Sequence, residues 1–148
     1  MQGLNKKKLL FLCTGNSCRS QMAEGWGRHL LSGSVEAYSA GTNPKGMDPR
    51  AMKVMHEAGV DIAGQHSKHI DELGKIEFDL VIALCGDAND NCPIFPGKAK
   101  VMHFGFEDPP RLAQGASDEE GALVHYRRIR DEIREFVLRL PEILKNTI

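Results

Sequence analysis

The sequence predicts an α/β protein, a three-layer α/β/α arrangement around a central four-stranded parallel sheet, folded as a single domain across residues 1–148. Three observations carry this reading. Short apolar runs alternate with segments of helical period, the pattern of parallel strands joined by helical crossovers. The first apolar run leads through a small polar loop directly into a helix. The C-terminal segment carries one long apolar stripe at helical spacing, suited to lie across a sheet. A length of 148 residues fills one hydrophobic core and would leave two half-size domains poorly stabilised.

Lys8-Leu9-Leu10-Phe11-Leu12-Cys13 reads as a buried strand running into a turn, followed by the loop Thr14 to Ser17. A helix is expected from Arg19 to Leu31, because Met22, Ala23, Trp26, Leu30 and Leu31 recur at helical spacing while Ser20 and Glu24 take polar positions. Val35 to Ala40 alternates as a strand, and Gly41 to Gly46 is turn-rich. Asp48-Pro49 then supplies an N-cap and a proline at the first helical position, so a second helix should run to about Gly59. Asp79 to Leu84 is a buried strand ending at Cys85, and Lys98 to Phe104 is the fourth strand. In the last helix Leu123, Tyr126, Ile129, Ile133, Phe136, Val137 and Leu140 share one stripe. No repeat, linker or low-complexity tract interrupts this order.

A composition of 41% hydrophobic and 26% charged residues belongs to ordinary water-soluble globular chains. The net charge of −1 and pI near 6.6 provide no global field for nucleic acid or an anionic membrane surface, so any anion recognition must be local. Met1 to Lys8 is polar and basic, and the apolar run Leu9 to Cys13 is too short for a signal-peptide core or a membrane span. A cytoplasmic monomer is expected. Four cysteines are too few for a disulfide scaffold at this length, and in a reducing compartment they are more often catalytic, redox-active or metal-binding.

Cys13-Thr14-Gly15-Asn16-Ser17-Cys18-Arg19-Ser20 places a cysteine and an arginine, with five residues between them, between a strand and a helix start. Small polar residues let successive backbone N–H groups point into one concavity, and the helix N-terminus adds partial positive charge, so this loop can bind an oxyanion. Arg19 can hold two anion oxygens as a planar fork. The same groups favour thiolate over thiol at Cys13 and arm it as a nucleophile, with Ser20 able to donate a further hydrogen bond. An ordinary strand end beside a helix cap would show the same residue types, but the strand-loop-helix context is the one an anion site requires.

The stretch Leu12-Cys13-Thr14-Gly15-Asn16-Ser17-Cys18-Arg19-Ser20-Gln21-Met22-Ala23-Glu24-Gly25 resembles low-molecular-weight tyrosine phosphatases and, more closely, thioredoxin-coupled arsenate reductases, a likeness that covers nearly the whole chain. The resemblance implies that Cys13 attacks the anion and Arg19 binds it, with arsenate and phosphate-like oxyanions as ligands. Two further cysteines, Cys85 and Cys92, separate the two activities. Cys85 ends a strand parallel to the first and so faces the rim that holds the Cys13 loop. Arsenic in arsenate can accept two electrons, so a Cys13 adduct can be resolved by Cys85 attacking sulfur and releasing arsenite. Cys92 would then take over the bond to Cys85 and free Cys13. The resemblance implies this relay, with thioredoxin as electron donor; glutaredoxin with glutathione is the alternative donor. A simple phosphatase needs neither Cys85 nor Cys92. No metal site is expected, because the cysteine spacings lack a tight Cys-x2-Cys knuckle and the six histidines show no ligand spacing. Cys18 has no part in a three-thiol relay.

Phe104-Gly105-Phe106-Glu107-Asp108-Pro109-Pro110 presents an acid on a proline-stiffened loop. Asp108 is the expected general acid, since a carboxyl group beside a bound anion is favoured in its protonated form and can supply the leaving oxygen with a proton. In both resembled families an aspartate before proline fills that role. Phosphatases continue with an aromatic residue where this chain has Pro110. Asn16, Glu24 and Ser39 match positions that in some of these reductases support the loop and a potassium ion. Lys68 stands where an acidic residue often follows the serine, so no tightly bound cofactor is expected and potassium is in doubt. Arg127, Arg128 and Arg130 alternate with Asp131 and Glu132 as a solvated helix face. The expectation is therefore an arsenate reductase with weak phosphatase activity; the alternatives are a low-molecular-weight tyrosine phosphatase and a non-catalytic redox or oxyanion sensor.

Overall fold

A computed structural model of the chain describes residues 6–85, 95 and 97–147. Among them, β1 (Lys7–Leu12), β2 (Val35–Ala40), β3 (Leu80–Cys85) and β4 (Val101–Phe106) form a four-stranded sheet in the order β2-β1-β3-β4, and every neighbouring pair is parallel. The helices are α1 (Arg19–Leu30), α2 (Pro49–Glu57), α3 (Pro109–Ala113) and α4 (Glu119–Thr147), with a 3-10 turn at Ile70–Leu73. Among the described residues, no helix is long and apolar enough to cross a membrane.

Position in the sheet explains the strand sequences. β1 and β3 are central and covered on both faces, so Leu9, Leu10, Phe11 and Leu12, like Leu80 to Cys85, are buried without alternation. β4 lies at an edge and alternates exposed with covered residues. The layers are uneven. Leu9, Phe11, Ile82 and Leu84 face a thick layer of α1, α2 and α4, whereas Leu10, Leu12 and Val81 face a thinner cover containing Ile70, Phe78 and Phe95.

All seven stripe residues expected in the last helix are buried in the α4 interface. The fourth strand differs from the sequence expectation: it starts at Val101 and extends through Phe106, because Phe106 packs into the core beside Phe104 and Phe136. Gly59, at φ +88, stops α2 in a left-handed conformation that glycine adopts without a Cβ penalty.

α1 departs most from a simple amphipathic helix. Residues Arg19 through Gly27 are all buried, including the polar Ser20, Gln21 and Glu24. Those side chains are covered because they serve the loop preceding the helix.

Candidate active site

The Cys13–Arg19 loop leaves β1 at its C-terminal end and enters α1 at Arg19. Its carbonyl groups are turned outward and bound there. Thr14 O accepts from Asn43 N, Gly15 O from Lys45 N, and Ser17 O from Asp48 N, at 2.9, 2.9 and 3.1 Å. Gly15 O also accepts from Ser67 Oγ, and Asn16 O from Gln21 Nε2. Because N–H and C=O of successive planar peptides point to opposite sides, outward carbonyls leave the loop N–H groups aimed into its hollow. Asn16 takes φ 45, a left-handed turn that asparagine tolerates better than most residues. Gly41 allows the loop to sit against β2, since a Cβ there would run into the carbonyl oxygens of Cys13 and Thr14.

Cys13 is buried, and its Sγ lies 2.9 Å from Ser20 Oγ. Ser20 Oγ accepts a 2.8 Å bond from Asn16 Nδ2, which leaves its own hydrogen available to the sulfur. When Cys13 is a thiolate, only Ser20 can be the donor. Asn16 is held in turn by Lys68 N and Gln21 Nε2 on Oδ1, and Gln21 is fixed by His66 O and Gln65.

Arg19 is 6% exposed, and Nη1 donates to Phe106 O at 2.9 Å. Its Nη2 lies 3.6 Å from Asp108 Oδ1. The guanidinium is thus braced by the end of β4 and brings the carboxylate of the following loop to the cysteine. Asp108 occupies the N-cap of α3, a short helix that the sequence reading treated as loop, with Pro109 at its first position. Its side chain makes no cap hydrogen bond and instead lines a cleft of about 610 Å³ with Cys13, Arg19, Met47, Asp48 and Arg111. Asp48 caps α2 as expected and also receives a 2.7 Å bond from Tyr126 of α4.

Cys18 is buried at the N-cap of α1. Burial first, then the carboxylates of Asp48 and Asp108, push its thiol well above the ordinary cysteine range, against the opposing pull of Arg19. It stays a thiol at neutral pH. Beneath the loop, Glu24 is 2% exposed and receives Ser39 Oγ at 2.6 Å and Arg28 Nη2 at 2.8 Å, with Lys68 Nζ 3.8 Å away. Burial lowers the Lys68 ammonium from its usual range and Glu24 partly offsets this. The segment therefore places a lysine, not open solvent, beside the carboxylate that the sequence comparison had matched to a cation site.

Cys85 ends β3 and is buried and disulfide-bonded, while Cys13 and Cys18 are free thiols. Leu12 is in register with Ala83, so Cys85 lies on the same rim as Cys13. Cys92 lies outside the described residues. Gln21, Gln65, Ser67 and Tyr126 support the site without having been singled out in the sequence. Gln65, Ser67 and Tyr126 come from segments far from the loop, whereas Gln21 follows it directly as a polar residue on the covered face of α1.

The family model for low molecular weight phosphotyrosine protein phosphatase matches residues 8–147. An arsenate reductase of Bacillus licheniformis is 49% identical over 139 residues, 94% of this chain and 98% of that protein. Among solved structures, an arsenate reductase in the phosphate binding state aligns with a TM-score of 0.74 and 31% identity over 96% of this chain and 99% of that one. A thioredoxin-dependent arsenate reductase of Corynebacterium glutamicum aligns with a TM-score of 0.67 and 25% identity, over 97% of this chain and 64% of that one. With the match spanning nearly every residue and the loop geometry agreeing, the chain belongs to the low molecular weight phosphotyrosine protein phosphatase family.

Proposed function

We infer that this protein reduces arsenate to arsenite through a relay of Cys13, Cys85 and Cys92 recycled by thioredoxin. The observation that carries the reading is a disulfide-bonded Cys85 on the rim of an oxyanion loop whose Cys13 is free. A second redox-capable cysteine on that rim is what a relay requires, and hydrolysis of phosphate esters has no use for it. The names of the relatives support the same reading.

In the first step Cys13 Sγ attacks arsenic, and an arsenate oxygen leaves as water after taking a proton from Asp108. The loop N–H groups and Arg19 hold the remaining oxygens. Cys85 then attacks Cys13 Sγ. An S–S bond forms, the S–As bond breaks, and its electron pair stays on arsenic, which is reduced from As(V) to As(III). Cys92 attacks Cys85 and restores Cys13, and a thioredoxin dithiol reduces the remaining disulfide. Lys68 serves as the cation beside Glu24 in place of a bound potassium ion. Weak phosphatase activity follows from the same loop, since phosphate and arsenate share shape and charge.

The test is NADPH consumption with arsenate, thioredoxin and thioredoxin reductase, beside hydrolysis of an aryl phosphate. Arsenate-dependent turnover that disappears in Cys13→Ser, Cys85→Ser and Cys92→Ser is the expected result. Strong hydrolysis needing Cys13 alone, without NADPH consumption, would mean a phosphatase.

A further inference from the structure

Cys85 is 2% exposed, so its sulfur has little direct contact with the water that must receive or return its proton. The neighbouring strand offers a route. Ala83 of β3 pairs with His103 of β4, and the register shift beyond that pair brings the His103 ring against Cys85. His103 Nε2 lies 4.0 Å from Cys85 Sγ and also contacts the Cys85 carbonyl oxygen. Nε2 thus faces both the sulfur and the carbonyl oxygen of Cys85: when protonated it can share its hydrogen between them, and in the other tautomer it can accept one from the sulfur. His103 as a residue is exposed, on the edge strand of the sheet. It therefore joins a covered sulfur to solvent, and imidazole is the side chain that changes charge near neutral pH.

We propose that His103 is the proton donor and acceptor for Cys85 in its thiol–disulfide steps. The proposal rests on the arsenate reductase reading and adds a catalytic residue to it. When a thiolate of the electron donor attacks the sulfur bonded to Cys85, that S–S bond breaks and its electron pair goes to Cys85 Sγ. The His103 imidazolium gives this sulfur its Nε2 proton and becomes neutral. In the next cycle the neutral nitrogen takes the proton back as Cys85 attacks Cys13 Sγ. Over one turnover the His103 proton returns to its starting place, while the electron pair passes from the donor dithiol to arsenic, so that oxidation of the dithiol is balanced by reduction of As(V) to As(III). Among the described residues, Cys85 is the titratable group that β3 turns toward this ring. Val101 and Gly105, on the same side of β4, carry no charge, and α4 meets the opposite side through Phe136 against Phe104 and Phe106.

The experiment follows alkylation of Cys85 by iodoacetamide against pH in the reduced full-length protein, with peptide mass spectrometry to separate the cysteines. His103→Gln removes the titrating group, and Cys85 should react about tenfold more slowly near neutral pH, with its reactive transition moved upward. His103→Arg supplies a permanent cation and should move that transition downward. Transitions that stay in place, or that move in the same direction in both variants, overturn the proposal. Arsenate turnover with thioredoxin is measured alongside, and about a tenfold loss in His103→Gln is expected. If the unaltered protein reduces no arsenate, the reductase reading fails on that result alone, while the alkylation profiles still decide the role of His103.

Discussion

Tyr126 of α4 donates a 2.7 Å hydrogen bond to Asp48, the residue that caps α2 and whose own N–H holds Ser17 of the anion loop. One residue thus joins the longest helix and the second helix through its carboxylate and the loop through its backbone N–H. Replacing Tyr126 with Phe keeps the ring and removes the hydroxyl, and should lower stability by about 1.5–3 kcal/mol, the range for a hydrogen bond to a charged partner. Urea denaturation would measure it. Burial and the Asp48 bond raise the Tyr126 phenol above its ordinary value of 10.0. A group raised in the fold stabilises it fully below the unfolded value and loses that contribution as pH rises through the folded one. The stability gap between the protein and Tyr126→Phe should therefore be constant below about pH 10 and shrink above it. A gap that widens on the alkaline side would refute the assignment.

Cys18 should be inert. Its thiol is held protonated by burial and by the Asp48 and Asp108 carboxylates, so iodoacetamide at pH 7 should label Cys13 and spare Cys18. Cys18→Ala should keep arsenate turnover within about twofold, as a buried thiol replaced by a small apolar group leaves no unmet hydrogen bond. Loss of turnover in a folded variant would bring Cys18 into the chemistry.

Asp108→Asn should reduce both arsenate turnover and aryl phosphate hydrolysis by about 10²–10⁴-fold, the usual contribution of a general acid. Binding of inorganic phosphate, measured by calorimetry, should survive, because the loop and Arg19 hold the anion. A variant with intact turnover would return Asp108 to the status of a helix cap, and Glu107 would be tested next.

Lys68→Met removes the ammonium 3.8 Å from the buried Glu24. Arsenate turnover should fall roughly threefold to tenfold, the scale of about 1 kcal/mol for a supporting charge. Potassium at constant ionic strength should restore part of that loss and leave the unaltered protein indifferent. Potassium stimulation of the unaltered protein would show that Lys68 does not fill the cation's place.

The parts of this molecule legible in the sequence are those governed by short-range pattern. β1 and β3 announce themselves as unbroken apolar runs, α4 as a stripe, and α2 through Asp48-Pro49. Cys13, Arg19 and Asp108 were found because motif spacing and turn residues are local, and the fold does bring them to one cleft. The extension of β4 to Phe106 was missed because it depends on the aromatic contact with Phe136, thirty positions away in sequence order. The more distant supports of the loop, Gln65 and Ser67, were missed for the same reason. Nothing near Ser67 or Gln65 signals that they reach back to Gly15 and Gln21.

The outward-facing carbonyls of the loop also bear on what may be transplanted between proteins. The eight residues from Cys13 to Ser20 carry the nucleophile and the groups that hold the anion, yet their curvature is imposed by Asn43, Lys45, Asp48, Ser67 and Lys68 from two other stretches of chain. Grafting the octapeptide alone onto another strand-to-helix junction would carry over the reactive groups without the mould that shapes them. A portable version would have to include both stretches, so the smallest unit that natural variation can exchange here approaches the first half of the chain.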